Sequence, residues 1–356
     1  MGVLSSQPGG LPKAAVVVYY RAMSDIRTQA FGGRDGTQTA AATVATAGPE
    51  FVGRSGELWI IIIINFLLTV VTLGIWRFWG RTRIRRYLWS HTEYQGDAAE
   101  YTGTGGELFV GFLIVFFAIL LPLSIVFGLL SQWLTVEQPE LAALVPLVFN
   151  FLILYLIGIA LYRARRYRLS RSTWRGIRFA QTGSSFRFAW LFIGYVVTGV
   201  LTLGLALPFW HLKHWSFRWN NTWFGNRPFS FAGPVGPLYK PFIISWLLFL
   251  PTLGFSYAWY KAAAFEHLAR HTRYEGQGFE FTIAPGRLIG FLLLNLLLVV
   301  VTLGLGQPIT QLRAVRLITE HIGLPAGIDF EAIAQSAAER PEIGEGLADA
   351  FDVGAV

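Results

Sequence analysis

The chain has 356 residues, 53% hydrophobic and 14% charged, with mean hydropathy +0.48, formal net charge +8 and a pI near 9.8. Soluble domains carry about 25% charged residues, so this depletion, gathered in blocks, excludes an ordinary water-soluble globule. The basicity lies directly beside apolar runs, which points to lipid headgroups and away from nucleic acid. Absence of cysteine excludes disulfides, thiol catalysis and thiolate metal sites.

Residues 1–48 are rich in Gly, Ala, Thr and Ser without a helical or strand period, and they read as a disordered low-complexity tail. Lys13 followed by the short run Ala14–Tyr20 makes a poor signal peptide. Six uncharged stretches then reach or approach the roughly 20 residues a bilayer crossing requires. They are Leu58–Trp76, Leu108–Leu130, Leu141–Tyr162, Phe188–Trp210, Phe242–Tyr260 and Leu288–Ile309. The expected fold is mainly α and polytopic, with about six transmembrane or membrane-embedded helices.

A recurring pattern organises residues 49–325. Thr-Leu-Gly stands at 72–74, 202–204, 252–254 and 302–304, and nineteen residues after each Thr comes His91, Asn221, His271 or His321. Seven residues before the Thr, Asn65 and Asn295 coincide. A degenerate copy without Thr-Leu-Gly fills the long gap, giving units of about 49–102, 103–181, 182–231, 232–281 and 282–325. Each unit reads as a Gly-containing turn, an apolar helix broken or bent near Thr-Leu-Gly, and an aromatic-basic helix. A short alternating segment such as Phe279–Thr282 ends it, as an interfacial β-strand. Residues 326–356 read as an acidic C-terminal tail, weakly structured from about Gln335 onward, where Glu339, Glu342, Glu345, Asp349 and Asp352 lie.

The runs TLGIWRFWGRTRIRRYLWSHT (72–92) and YRARRYRLSRSTWRGIRF (162–179) resemble the YjgN family over about residues 50–325. The resemblance implies a bacterial multi-pass inner-membrane protein and supplies no catalytic residue. Asn221 in place of His departs from the family pattern and weighs against an essential chemical role for that position; the long N-terminal tail is a second departure.

Three histidines, His91, His271 and His321, are the evident metal candidates. No carboxylate or Cys recurs beside them to complete a site, and a helix C-terminus favours the same residues as caps. No metal and no cofactor are therefore expected. Arg81, Arg83, Arg85, Arg86, Arg163, Arg165, Arg166 and Arg168, interleaved with Trp and Tyr, are candidate contacts to anionic phospholipid headgroups, with topological anchoring as the plainer role. Asn65, Asn150 and Asn295 are the polar exceptions in the spans and suit interhelical hydrogen bonds. Pro122, Pro146, Pro208, Pro251 and Pro308, with the Thr-Leu-Gly glycines, are candidate helix breakers.

Glu57 and Glu107 suit helix N-termini, and Gly103–Gly106 lacks the Lys-Ser/Thr ending of a phosphate loop. No nucleophile elbow or zinc-protease helix is present, so no enzymatic activity is expected. Transport or permeation of a small solute, lipid or ion leads. The alternative is a non-catalytic envelope protein that binds anionic lipid or a protein partner through its basic helices.

Six full crossings would gather 17 Lys and Arg in residues 76–106, 163–187 and 261–287, against four in 131–140 and 211–240. That sorting would put equivalent strands on opposite sides of the membrane. A rival arrangement, in which Thr-Leu-Gly segments dip in and return, keeps every basic helix on one side.

Overall fold

The computed structural model describes residues 48–324 and 328–335. The N-terminal tail and the acidic residues from Glu339 onward lie outside the described residues. Among the described residues, ten helices fall into five consecutive pairs: α1 (Ser55–Val71) with α2 (Arg77–Ser90), α3 (Gly105–Glu137) with α4 (Pro139–Ser170), α5 (Ser185–Leu201) with α6 (Leu207–Trp219), α7 (Gly236–Leu247) with α8 (Tyr257–His271), and α9 (Pro285–Val301) with α10 (Gln307–His321).

In four pairs the Thr-Leu-Gly segment reverses the chain. Leu73, Leu203, Leu253 and Leu303 take φ near +50°, and the following glycines take φ of +85° to +91°. The glycine N–H reaches back to the carbonyl five residues earlier (Gly74 to Thr69, 2.7 Å; Gly304 to Val299, 2.8 Å), closing a Schellman-type end. The threonine hydroxyl then caps the next helix. Thr72 Oγ1 donates to Leu68 O at 2.7 Å and accepts from Trp76 N at 2.9 Å, and Thr202, Thr252 and Thr302 do the same for residues 206, 256 and 306.

Six crossings are not shown by these helices, which end at the turns. A 17-residue helix such as α1, α5 or α9 rises only about 25 Å, short of the roughly 30 Å hydrocarbon core, and then turns back. Among the described residues, two helices are long and apolar enough to cross: α3 with 33 residues and α4 with 32. These are the pair without Thr-Leu-Gly. A π-helical turn at Phe116–Leu120 precedes Pro122, whose missing N–H disturbs the ladder there. Pro208 and Pro308 begin α6 and α10 and do not break them; a first-turn N–H has no helical partner to lose.

Both ends of every pair return to one β-layer. A nine-stranded meander runs in the order β1 (Glu50–Phe51), β2 (Thr92–Tyr94), β3 (Asp97–Tyr101), β4 (Ser172–Trp174), β5 (Ile177–Gln181), β6 (Thr222–Phe224), β7 (Arg227–Phe231), β8 (Thr272–Tyr274), β9 (Gln277–Gly278). A two-stranded sheet of β10 (Glu280–Phe281) and β11 (Ile322–Gly323) follows, and every pairing is antiparallel. Two-residue turns with positive φ at both positions, Gln95-Gly96, Arg175-Gly176 and Glu275-Gly276, join the hairpin strands, as a type I′ turn requires.

Each even-numbered helix packs on the odd-numbered helix of the next pair, and α10 packs back on α1. Leu58, Ile62, Tyr87 and Leu88 share one buried cluster with Ile309 and Leu312 of α10. Arg316 Nη2 donates to Gly53 O at 2.8 Å, 263 residues away in sequence. The pairs thus close into a ring.

Tyr94, Trp174, Phe224 and Tyr274, one from each of four hairpins, meet in a cluster with Ile328, Phe330 and Ile333. Phe330 stands against Trp174 at 5.0 Å and Tyr94 at 5.9 Å between ring centroids. Asn226 N donates to Ala334 O at 2.9 Å, and Gln335 accepts from Arg178 N at 3.1 Å. Residues 328–335, which composition groups with the acidic C-terminal tail, therefore fasten four hairpins together. Their apolar residues are spaced irregularly, which hid them from any periodicity.

Outside the ring the helices present apolar side chains. Ile60 is 62% exposed, Phe117 59%, and the tip residues Leu73 and Leu303 more than 90%. An apolar surface of this extent matches hydrocarbon, not water.

Candidate functional site

The histidine positions resolve first. Nδ1 of His91, His271 and His321 lies 2.7–2.8 Å from the carbonyl four residues earlier, so each ring donates there. Asn221 Nδ2 donates to Phe217 O at 2.7 Å, making the same bond. The main-chain carbonyl of each of these residues then receives an N–H from the strand exit of the preceding hairpin: Val52 to His91, Thr182 to Asn221, Ala232 to His271, Thr282 to His321. In the degenerate copy Thr102 N reaches Arg171 O at 2.8 Å, which places Arg171 at the same position. This is helix-end chemistry. Among the described residues, no group of three or more His, Cys, Asp or Glu could hold a metal ion.

Four of the eight candidate arginines, Arg85, Arg86, Arg165 and Arg166, make hydrogen bonds to neighbouring loops and strands. Arg85 is buried with Nη1 3.1 Å from the Tyr101 hydroxyl. Arg86 donates to Gly103 O at 2.9 Å, and Arg166 donates to Gly183 O. Arg165 donates to Gln181 Oε1 and Thr222 Oγ1, both at 2.9 Å. Arg86, Arg166 and Arg316 occupy one register and each clasps the glycine loop opening the next pair. Arg83, over Trp76 at 5.3 Å, and Arg163 are exposed; Arg81 and Arg168 are half-buried.

Glu57 and Glu107 sit in the first turns of α1 and α3, where the helix dipole favours a carboxylate. Thr104 caps α3 by accepting from Glu107 N at 3.2 Å, so Gly103–Gly106 is a helix start. Glu57 receives the Tyr87 hydroxyl at 3.0 Å, and Glu107 receives Tyr167 and Arg171. Burial works against the Arg171 charge, and the Glu107 hydrogen bond and attraction outweigh it, so its pKa is raised. In the β-layer, burial pushes the Tyr274 phenol up to about 12, keeping it a donor to Phe224 O at 3.2 Å.

The polar span residues divide. Asn65 joins α1 to α2, with Oδ1 accepting from Trp76 Nε1 at 3.2 Å and Nδ2 3.5 Å from Gly80 O. Asn150 bonds within its own helix to Pro146 O at 2.7 Å. Asn295 is buried, with no partner for Oδ1 among the described residues.

A concentration of chemistry that the sequence reading passed over lies between α5–α6 and α7–α8. His211, His214 and Arg218 are spaced i, i+3, i+7 on one face of α6, and with Lys261 of α8 they wall a cavity of about 330 Å³. Its other walls include Phe192, Tyr195 and Leu238, and no Asp or Glu lines it. His211 Nδ1 lies 2.8 Å from the Tyr260 hydroxyl; His214 Nε2 is buried without a partner among the described residues. A second cavity of about 470 Å³, between α8 and α9–α10, has an almost wholly apolar wall and shares Trp215 and Phe265 with the first. The available signal was the 50-residue register: Lys261, Ala264 and Leu268 stand where His211, His214 and Arg218 stand one unit earlier.

The chain matches the family model described as "Bacterial protein of unknown function (DUF898)" over residues 47–255 and again over 246–350. It is 37% identical over 76 residues to "Inner membrane protein YjgN" of Salmonella typhimurium, covering 21% of this chain and 19% of that protein. It is 25% identical over 241 residues to the protein of the same name from Escherichia coli K12, covering 57% of each. The alignments thus span at most a little over half the length of these relatives. No solved structure matches. With most of its length matched by that family model, the chain belongs to the DUF898 family and is a YjgN-like protein of the bacterial inner membrane.

Proposed function

We propose that this protein is a non-enzymatic, multi-pass transport or permeation protein of the inner membrane, built from tandem helix hairpins, that moves a small solute, lipid or ion. The observation carrying this reading is the pair of adjoining, partly open cavities between hairpins whose outer faces are apolar. A purely structural bundle would fill such space, because interiors pack to near-crystalline density. In this reading α3 and α4 cross the bilayer, the four short pairs dip in and return, and the β-layer with its basic helix ends faces the cytoplasm, as the positive-inside rule favours. Purified protein in liposomes is expected to conduct solute flux or lipid scrambling above protein-free vesicles. Vesicles that stay tight across a broad panel of solutes and lipids contradict the reading.

One observation favours a second reading, a non-catalytic envelope protein that holds anionic phospholipid at its surface. Arg83 and Arg163 are exposed, Arg83 lying over the Trp76 ring. Binding to anionic liposomes should then weaken with salt and in the Arg83→Ala, Arg163→Ala double variant; unchanged binding removes this reading.

A further inference from the structure

We propose that the two adjoining cavities form one binding site for an anionic amphiphile, its phosphate or carboxylate head among His211, His214, Arg218 and Lys261 and its alkyl chain in the neighbouring apolar cavity. As the class of solute carried, this rests on the transport reading above; as a binding site it stands apart from it.

Three features point the same way. The first cavity gathers cationic and imidazole side chains with no carboxylate among its walls. Charge withdrawn from water without a counter-ion is costly. Elsewhere a half-buried cation has a partner that accepts its N–H groups: Arg171 has the Glu107 carboxylate, and Arg165 has the neutral oxygens of Gln181 and Thr222. Lys261 and Arg218 instead lie over the rings of Tyr257 and Phe188, at 5.2 and 5.1 Å, and no carboxylate pairs with either among the described residues. An anion supplies what is missing. The His214 Nε2 atom is a second polar group here with its hydrogen-bonding capacity unused among the described residues.

Beside this charged space lies one of opposite character. The second cavity is walled by Trp219, Phe279, Leu288, Phe291 and Leu317 among others, with Thr272 as its polar exception. The Thr272 hydroxyl is already engaged, donating to Leu268 O and accepting from Trp215 Nε1 at 3.1 Å. Nothing there recognises a polar solute. Both volumes lie in the range of small-molecule sites, and Trp215 and Phe265 line both, which sets them side by side. A free anion would leave the apolar half empty, and a neutral alkane would leave the cations uncompensated. A molecule with both parts satisfies both.

The test is native mass spectrometry of the full chain in neutral detergent, titrated with inorganic phosphate, n-decanol and n-decyl phosphate. One n-decyl phosphate per chain is expected, bound at least tenfold more tightly than either other probe. Arg218→Gln with Lys261→Gln should weaken it about tenfold or more, and Ala269→Trp, which fills the apolar cavity, should weaken n-decyl phosphate without weakening inorganic phosphate. If the variants fail to fold, a series of alkyl phosphates on the unaltered protein decides. Affinity should climb with chain length, by up to roughly fourfold per buried methylene. Affinity independent of length, or inorganic phosphate binding as tightly as n-decyl phosphate, overturns the proposal in favour of a free-anion site. Tight n-decyl phosphate binding without flux in liposomes removes the transport reading and leaves the site standing.

Discussion

The α3–α4 pair and the four shorter pairs start from the same β-layer and reach different depths. Residues 105–170 extend as helices of 33 and 32 residues; the others end after 12 to 17 residues in Thr-Leu-Gly turns tipped by exposed leucines. The anchoring is alike at the sheet end: Arg86 and Arg166 clasp Gly103 and Gly183, and Glu57 and Glu107 take Tyr87 and Tyr167. What differs is a three-residue stop. Thr-Leu-Gly sets depth, and the hairpin layer sets position.

The largest effects should come from charge placed at depth. Phe117→Arg on the outer face of α3 should lower stability in the membrane by about 2.5–3.5 kcal/mol. Leu303→Arg at a shallow tip should cost less, because a long side chain there can reach the interface. Thermal melting in nanodiscs checks the order, and equal losses would erase the difference in depth.

Next, Ile333→Ala should cost about 2 kcal/mol, the low end for truncating a buried aliphatic side chain, since this residue is 6% exposed among the hairpin aromatics. Increased binding of a hydrophobic dye at the β-layer should accompany the loss. Cutting the clasp between the last pair and the first with Arg316→Ala should cost about 1.5–3 kcal/mol and shift the melting point. Thr72→Ala, which removes a cap from α2, should cost about 1 kcal/mol; the same change at Thr92 leaves the tip intact and serves as comparison. The smallest effect is expected for His91→Asn, within about 0.5 kcal/mol, because Asn221 makes the equivalent bond already. A large loss there would return a chemical role to the histidine.

How far the sequence could be read follows from which interactions have a local signature. Apolar runs, basic aromatic helices and short strands are written as composition and period, so helices and strands were visible. The Thr-Leu-Gly spacing was visible too, but its meaning was not. A turn that reverses the chain and one that bends it use the same residues, and only the β-pairing of Phe51 with Thr92 shows that both helix ends meet. The histidines were read as helix caps beside the metal alternative, and Asn221 carried the decisive hint.

Arginine clusters look alike whether they face lipid or neighbouring loops. Arg85 and Arg165 are held by Tyr101 and Thr222, partners up to 57 residues away. His211 and His214 follow no residue type shared between units, and Lys261 replaces His211 one unit later. A binding site built on a repeat is where one unit departs from the others, so the search for likeness passed over it.

The central claim, that every hairpin meets in one layer on one side of the membrane, can be tested directly because the chain has no cysteine. Single cysteines at Gln95, Arg175, Asn226 and Glu275 are to be labelled with a membrane-impermeant maleimide in right-side-out and inverted vesicles. All four should react from the same side, the cytoplasmic one. Labelling that alternates from one hairpin to the next would contradict the account.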